Sequence, residues 1–193
     1  MKETLIFASN NQKKVDEIRA VPGTDFNIIT MIESGIHIEI PEPHNSLEEN
    51  AGEKSRTIYH MTQHDCFSED TGLEVEALHG EPGVKSARYA GENRSDDDNI
   101  NKLLNGLSHA ENRNARFRTV ISLIRNGKES LFEGICKGTI NTEKRGLNGF
   151  GYDPVFIPEG STKTFAEMDM TEKNLFSHRK KAVLKLVDFL NNI

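Results

Sequence analysis

Asn126-Gly127 stands between two long alternating runs, Ala115–Arg125 and Lys128–Ile140, and no other stretch limits the fold as tightly. A two-residue type I′ turn needs positive φ at both central positions; glycine adopts it freely, asparagine tolerates it, and the turn matches the twist of paired strands. The chain must therefore contain a long antiparallel hairpin. A lone hairpin is marginal in water, so this one needs further strands or helices against it.

The segments before the hairpin supply them. Thr4–Ala8 reads as a buried strand, followed by the polar loop "SNNQ" and then Val15, Ile18 and Val21 at helical spacing. Phe26–Met31 and Ile36–Ile40 are strand candidates, the second ended by Pro41 and Pro43. Ser46 and Glu49 form a capping box for a second helix, with Leu47, Ala51, Ile58 and Met61 on one stripe. Asp65–Glu69 is the next strand; Gly72 reads as a turn, and Leu73, Val75 and Ala77 alternate with acids as a half-exposed strand. Ser95 caps a third helix whose core face is Ile100, Leu103, Leu104 and Leu107. After the hairpin come the glycine-rich "RGLNGFGYDP", a short strand "VFI", and a helix after Ser177 carrying Val183, Leu186, Val187 and Leu190. Strands that first alternate with helices and then pair as a hairpin point to a mixed α/β sheet, an order that permits two lobes with a cleft. No repeat or linker interrupts the chain, so residues 1–193 read as a single domain.

Charge narrows the partners. The formal net charge of −6 argues against a duplex nucleic-acid binder, which carries a basic excess or stripe. A small anion held by a local basic cluster stays open. The longest apolar run, Leu5–Ala8, is four residues, too short to span a membrane, and no signal-peptide core is present, which makes the cytoplasm the default expectation. Cys66 and Cys136 lie far apart in strand-like runs and read as buried, reduced thiols.

Candidate chemistry comes from residues that break local rules. Helix N-termini disfavour cations, yet the first helix opens with Lys13 and Lys14, and the last with His178, Arg179, Lys180 and Lys181. Each such placement costs about 0.3–1 kcal/mol. It suits a phosphate held on free backbone N–H groups, or else long side chains that reach water. Lys54 falls inside an apolar helical stripe, where it either snorkels or meets an anion. Glu69 and Asp70 are adjacent carboxylates at a strand end, either an exposed turn or a cation site, and Glu42 is a third acid on a loop stiffened by two prolines. Phosphate chains travel with Mg²⁺, which one or two carboxylates plus substrate oxygens hold, while a carboxylate off the metal takes a proton from water. Other signals carry less. Asp96, Asp97 and Asp98 complement a helix dipole; His60 and His64 lack the glutamate of a zinc helix; Arg116 and Arg118 alternate with Phe117 as a strand's solvent face, rather than touching RNA with Arg113.

Taken together, "SNNQKK", "SLEENAGEKS", "SEDTGLEVEAL", "PGVKSARYAG", "GFGYDPVF" and "EKNLFSHR" resemble, in order and spacing, the Ham1-type inosine triphosphate pyrophosphatases over nearly the whole chain. The resemblance implies an elongated α/β fold with a long mixed central sheet flanked by helices and two lobes around an active-site cleft. It implies a homodimer that uses Mg²⁺ to hydrolyse ITP, dITP and XTP to monophosphate and pyrophosphate, cleaning the nucleotide pool. By the same resemblance Ala8, Ser9, Asn10 and Lys13 match the phosphate loop, Lys54 a helix lysine, and Glu42 and Glu69 metal carboxylates. Asp70 matches the general base close to the metal, and Thr71 a hydroxyl on substrate. Phe150, Gly151, Tyr152, Asp153, Lys173, Ser177, His178 and Arg179 match the base pocket, with Arg179 as a donor to the purine O6. The chain departs from many members at Ala8, where threonine is common, at Glu69-Asp70 in place of Asp-Asp, and at Lys85, where an aromatic is usual. Competing readings are a related house-cleaning enzyme for modified pyrimidine triphosphates, a nucleotide-binding module without turnover, and an RNA binder, which the net charge disfavours.

Overall fold

The computed structural model describes residues 3–21, 23, 26–93 and 95–192. In chain order the elements are β1 (Thr4–Phe7), α1 (Gln12–Arg19), β2 (Asn27–Thr30), α2 (Leu47–Thr62), β3 (Cys66–Val75), β4 (Pro82–Gly83) and α3 (Asp96–Gly106). β5 (Asn114–Arg125), β6 (Lys128–Ile140), β7 (Phe156–Pro158), α4 (Met170–Phe176) and α5 (His178–Asn191) complete them. The sheet is mixed: its order is β2-β1-β3-β5-β6-β7, with β4 added to β3. β1 runs parallel to β2 and β3; β3 and β4 are antiparallel, as are β6 and β7. The hairpin turn is as expected, with φ of 49° at Asn126 and 76° at Gly127.

Two compact units divide the chain. The first comprises residues 1–70, 119–134 and 179–193, the second 71–118 and 135–178. The first unit buries α1 and α5 against β1 and β3 through Leu5, Phe7, Val15, Ile18, Phe67, Val183 and Leu186. Phe7 and Phe67 stack with centroids 4.7 Å apart. The second unit packs α3 and the 165–168 segment onto the sheet through Leu73, Val75, Ile100, Leu103, Phe117, Phe156 and Phe165. Both cysteines are buried thiols outside any disulfide, and no described helix is long and apolar enough to cross a membrane.

Four sequence expectations need correction. Ile36–Ile40 forms no strand: Ile36 is buried and Ile38 and Ile40 pack against the core, but as irregular chain ending at two prolines. Met61 is 55% exposed and lies outside the buried stripe of Leu47, Ala51 and Ile58. Asp65–Glu69 and Leu73–Val75 are one continuous strand, so Gly72 is not a turn and Glu69 and Asp70 lie mid-strand. Finally, α4 was not foreseen, although Asp169 and Glu172 form a capping box at its start.

Gly72 is required by a close approach rather than by a bend. A Cβ there would sit 2.6 Å from the Gly83 carbonyl oxygen on β4. Gly72→Ala is therefore expected to push β4 off β3 and lower stability by about 1–3 kcal/mol, read as a shift of the urea midpoint.

Candidate active site

In the first unit, hydroxyl contacts seat α2 on the sheet. Ser68 Oγ donates to the Ala51 carbonyl at 2.5 Å, and Ser55 Oγ to the Ser122 carbonyl at 2.7 Å. This docking brings Lys54, only 8% exposed, to the acids of β3. Its ammonium lies 2.7 Å from Glu42 Oε1 and 3.4 Å from Asp70 Oδ1. The loop carrying Glu42 is fixed by buried Asn50, whose amide oxygen accepts from His44 N–H at 2.9 Å and whose NH₂ donates to the His44 carbonyl at 3.2 Å.

Burial would lower the Lys54 pKa, but Asp70 and Glu42 outweigh it and hold the ammonium charged. Burial pushes the Asp70 carboxyl up against the opposing pull of Lys54 and Lys14. Asp70 Oδ2 is buried and takes no hydrogen bond from the described residues. Glu42 and Asp70 thus both lie against the Lys54 ammonium.

A second acid group lies beside the first. Arg179, at the start of α5, grips Glu69 with both arms: Nε to Oε2 at 2.7 Å and Nη2 to Oε1 at 3.0 Å. Its Nη1 donates to Glu17 of α1, and Lys14 Nζ reaches Glu69 Oε1 at 2.9 Å. Here two acids meet two bases. Burial alone would raise the Glu69 pKa; Arg179 and Lys14 reverse that and hold the carboxyl well below the usual range. A folded-state value below the unfolded one stabilises the fold above the unfolded pKa. That contribution is lost as pH falls from about 4.3 toward the folded value. Glu69→Gln is expected to flatten this part of the acid-denaturation curve.

The phosphate-loop residues occupy the β1–α1 connection. Ala8 N–H donates to the Phe67 carbonyl at 2.7 Å, Ser9 Oγ accepts from Asn11 N–H at 3.2 Å, and Asn10 Nδ2 donates to the Ile38 carbonyl at 3.3 Å. Asn11 caps α1 by accepting from Lys14 N–H at 3.2 Å. Lys13 is exposed, and Lys14 reaches Glu69. Lys14, Asn11 and Glu17 are thus absent from the site set expected by resemblance. Glu17 had a signal of the same kind as Lys54: an acid beside Ile18 on the buried side of α1.

In the second unit, Asp153 Oδ2 accepts from Phe150 N–H at 2.9 Å and from Lys173 Nζ at 2.6 Å. The Lys173 ammonium lies 5.3 Å from the Phe150 and Phe165 ring centroids. Ser177 ends α4, its N–H donating to the Lys173 carbonyl at 3.0 Å, and the His178 ring stacks on Phe117 at 4.6 Å. Thr71 and Gly151 are half-buried; Tyr152 is buried. The chain passes between the units at Asp70–Thr71, Arg118–Thr119, Gly134–Ile135 and His178–Arg179.

Among the described residues, no three His, Cys, Asp or Glu side chains form a ready metal cage. Mg²⁺ needs less, one or two carboxylates plus substrate oxygens. Glu42 and Asp70 fit that need: they already share the Lys54 ammonium, and Asp70 has a buried oxygen that takes no hydrogen bond from the described residues. Both Glu69 oxygens are engaged by Arg179 and Lys14.

The sequence model described as the Ham1 family matches residues 5–189. A dITP/XTP pyrophosphatase of Flavobacterium psychrophilum is 50% identical over 97% of this chain and 99% of its own. One from Porphyromonas gingivalis is 50% identical over 97% of each. Among solved structures, the Ham1 protein of Staphylococcus aureus superposes with a TM-score of 0.89 at 39% identity, covering 98% of this chain and 99% of its own. A HAM1 protein from Coxiella burnetii gives 0.90 at 35% identity, covering 99% and 100%.

Proposed function

The chain belongs to the Ham1 family, and from that premise we propose that it hydrolyses non-canonical purine nucleoside triphosphates, dITP, ITP and XTP, to the monophosphate and pyrophosphate. The observation that carries this reading is Asp70, a buried carboxylate with one oxygen at Lys54 and the other without a hydrogen bond from the described residues. A base beside a fixed cation suits water attack on a polyanion. The water oxygen bonds to the α-phosphorus, the bond to the pyrophosphate oxygen breaks, and the water's proton passes to Asp70.

Lys54 and Lys14 supply positive charge for the phosphates. Glu42 and Asp70 would hold Mg²⁺, which when bound neutralises and orients phosphate oxygens. Glu69 is kept charged and oriented by Arg179. On the second unit, Phe150 offers a ring face, and Asp153, Lys173 and His178 offer polar edges to a base. Arg179 is better suited to holding Glu69 than to reading the purine, since its Nε, Nη1 and Nη2 all donate to carboxylates. Two copies of the chain are the assembly this reading carries with it.

The test is pyrophosphate release from dITP, XTP, dGTP, dATP and modified pyrimidine triphosphates, with Mg²⁺ and with EDTA. Release from dITP and XTP that far exceeds the rest and stops in EDTA is expected. Preference for a pyrimidine would indicate the sister activity, and tight binding with no release a binding module. Full activity in EDTA would remove the metal role.

A further inference from the structure

Gly151 and Tyr152 lie between the proposed base-side residues Phe150 and Asp153, and each is fastened to a different element of the second unit. Gly151 N–H donates to Asp96 Oδ2 at 2.8 Å, at the first residue of α3. The Tyr152 hydroxyl donates to the Ser86 carbonyl at 2.9 Å, inside the "SARYAG" motif. Ser86 is itself buried and locked, its Oγ accepting from Leu73 N–H at 2.8 Å and donating to the Gly83 carbonyl at 2.6 Å. Asn99 of α3 ties the same motif to the helix: its Oδ1 accepts from Ala90 N–H at 2.7 Å and its Nδ2 donates to the Ala87 carbonyl at 3.1 Å. One residue further along α3, Asp97 pairs with Lys144, at the head of the loop that leads to Phe150, at 2.8 Å.

We propose that Asp96 and Tyr152 are positioning residues for nucleobase selection, bracing residues 150–153 onto α3 and the 86–88 turn so that Phe150 and Asp153 keep a fixed spacing. The proposal rests on the reading of Phe150 and Asp153 as the base side. Its physical basis is that selection between bases differing by one exocyclic group needs donors and acceptors held in place before the base arrives. With Phe150 one residue and Asp153 two residues from Gly151, an unanchored glycine between them would let their spacing drift. The acids at the start of α3 therefore do more than complement a dipole: one of them is spent on a specific amide.

Three variants separate these roles. Asp96→Ala removes the acceptor and the charge; Asp96→Asn removes the charge and keeps an acceptor for Gly151 N–H; Tyr152→Phe removes only the hydroxyl. Steady-state kcat and KM for dITP and dGTP are measured for each, with the thermal midpoint. Asp96→Ala and Tyr152→Phe are expected to raise KM for dITP by about three- to tenfold, the scale of one hydrogen bond. Their kcat should stay within about twofold and the dITP-to-dGTP ratio of kcat/KM should fall, while Asp96→Asn stays near the parent. Parental KM and ratio in both Asp96→Ala and Tyr152→Phe would overturn the proposal. So would an Asp96→Asn variant as impaired as Asp96→Ala, the mark of a helix-dipole role. Phe150→Ala is run beside them. If it leaves KM and ratio unchanged, the base-side reading has failed and the proposal with it; if it is impaired while the brace variants are not, only the brace is refuted.

Discussion

Asp70→Asn is expected to lower kcat by about 10²–10⁴-fold, the range general-base help contributes. The amide keeps the volume and still offers an oxygen to Lys54, so the ion pair weakens without leaving a hole. What disappears is the ability to accept the water's proton. Stability should change little or rise, because burial already disfavours the charged form of this carboxyl. Single-turnover rates on dITP, with the thermal midpoint measured in parallel, check both halves. A variant within about threefold of the parent would remove Asp70 from the base role.

Arg179→Met carries the second large effect, and its main readout is stability. Arg179 is 2% exposed, and without it the buried Glu69 and Glu17 would both lose the guanidinium that pairs with them. Breaking a buried pair by removing one partner costs about 3–5 kcal/mol. Arg179→Lys should recover only part of that, since an ammonium cannot make the two parallel bonds that the guanidinium makes to Glu69. The rival role, donation to the purine O6, predicts a different pattern: near-parental stability, with the preference for dITP over dATP lost. Urea unfolding of the variant decides between them.

The hairpin was legible because Asn-Gly is a local signal between two strand-like runs; only the start of the first arm lies one residue earlier, at Asn114. So were the caps at Ser46 and Ser95, each confirmed by a side chain accepting from the N–H three residues on. The strand through Gly72 was not, because the glycine serves a contact with β4 that is distant in sequence and leaves no local trace. Lys54 was legible as an anomaly on an apolar stripe, and its two acid partners explain it. The choice between Lys13 and Lys14 was not legible. Adjacent residues on a helix differ by about 100° of rotation, and only the packing of α1 on the sheet decides which one meets Glu69. Arg179 was singled out as a cation at a helix start; that its partners are Glu69 and Glu17 depends on tertiary placement.

Cleavage between the α- and β-phosphates of a non-canonical purine triphosphate is read from the identity of its products. dITP or XTP is incubated with the protein and Mg²⁺ in ¹⁸O-labelled water, and the products are resolved by mass spectrometry. Monophosphate and pyrophosphate in equal amounts are expected, with the label in the monophosphate. Release of orthophosphate and a nucleoside diphosphate, or label confined to the pyrophosphate, would contradict that cleavage.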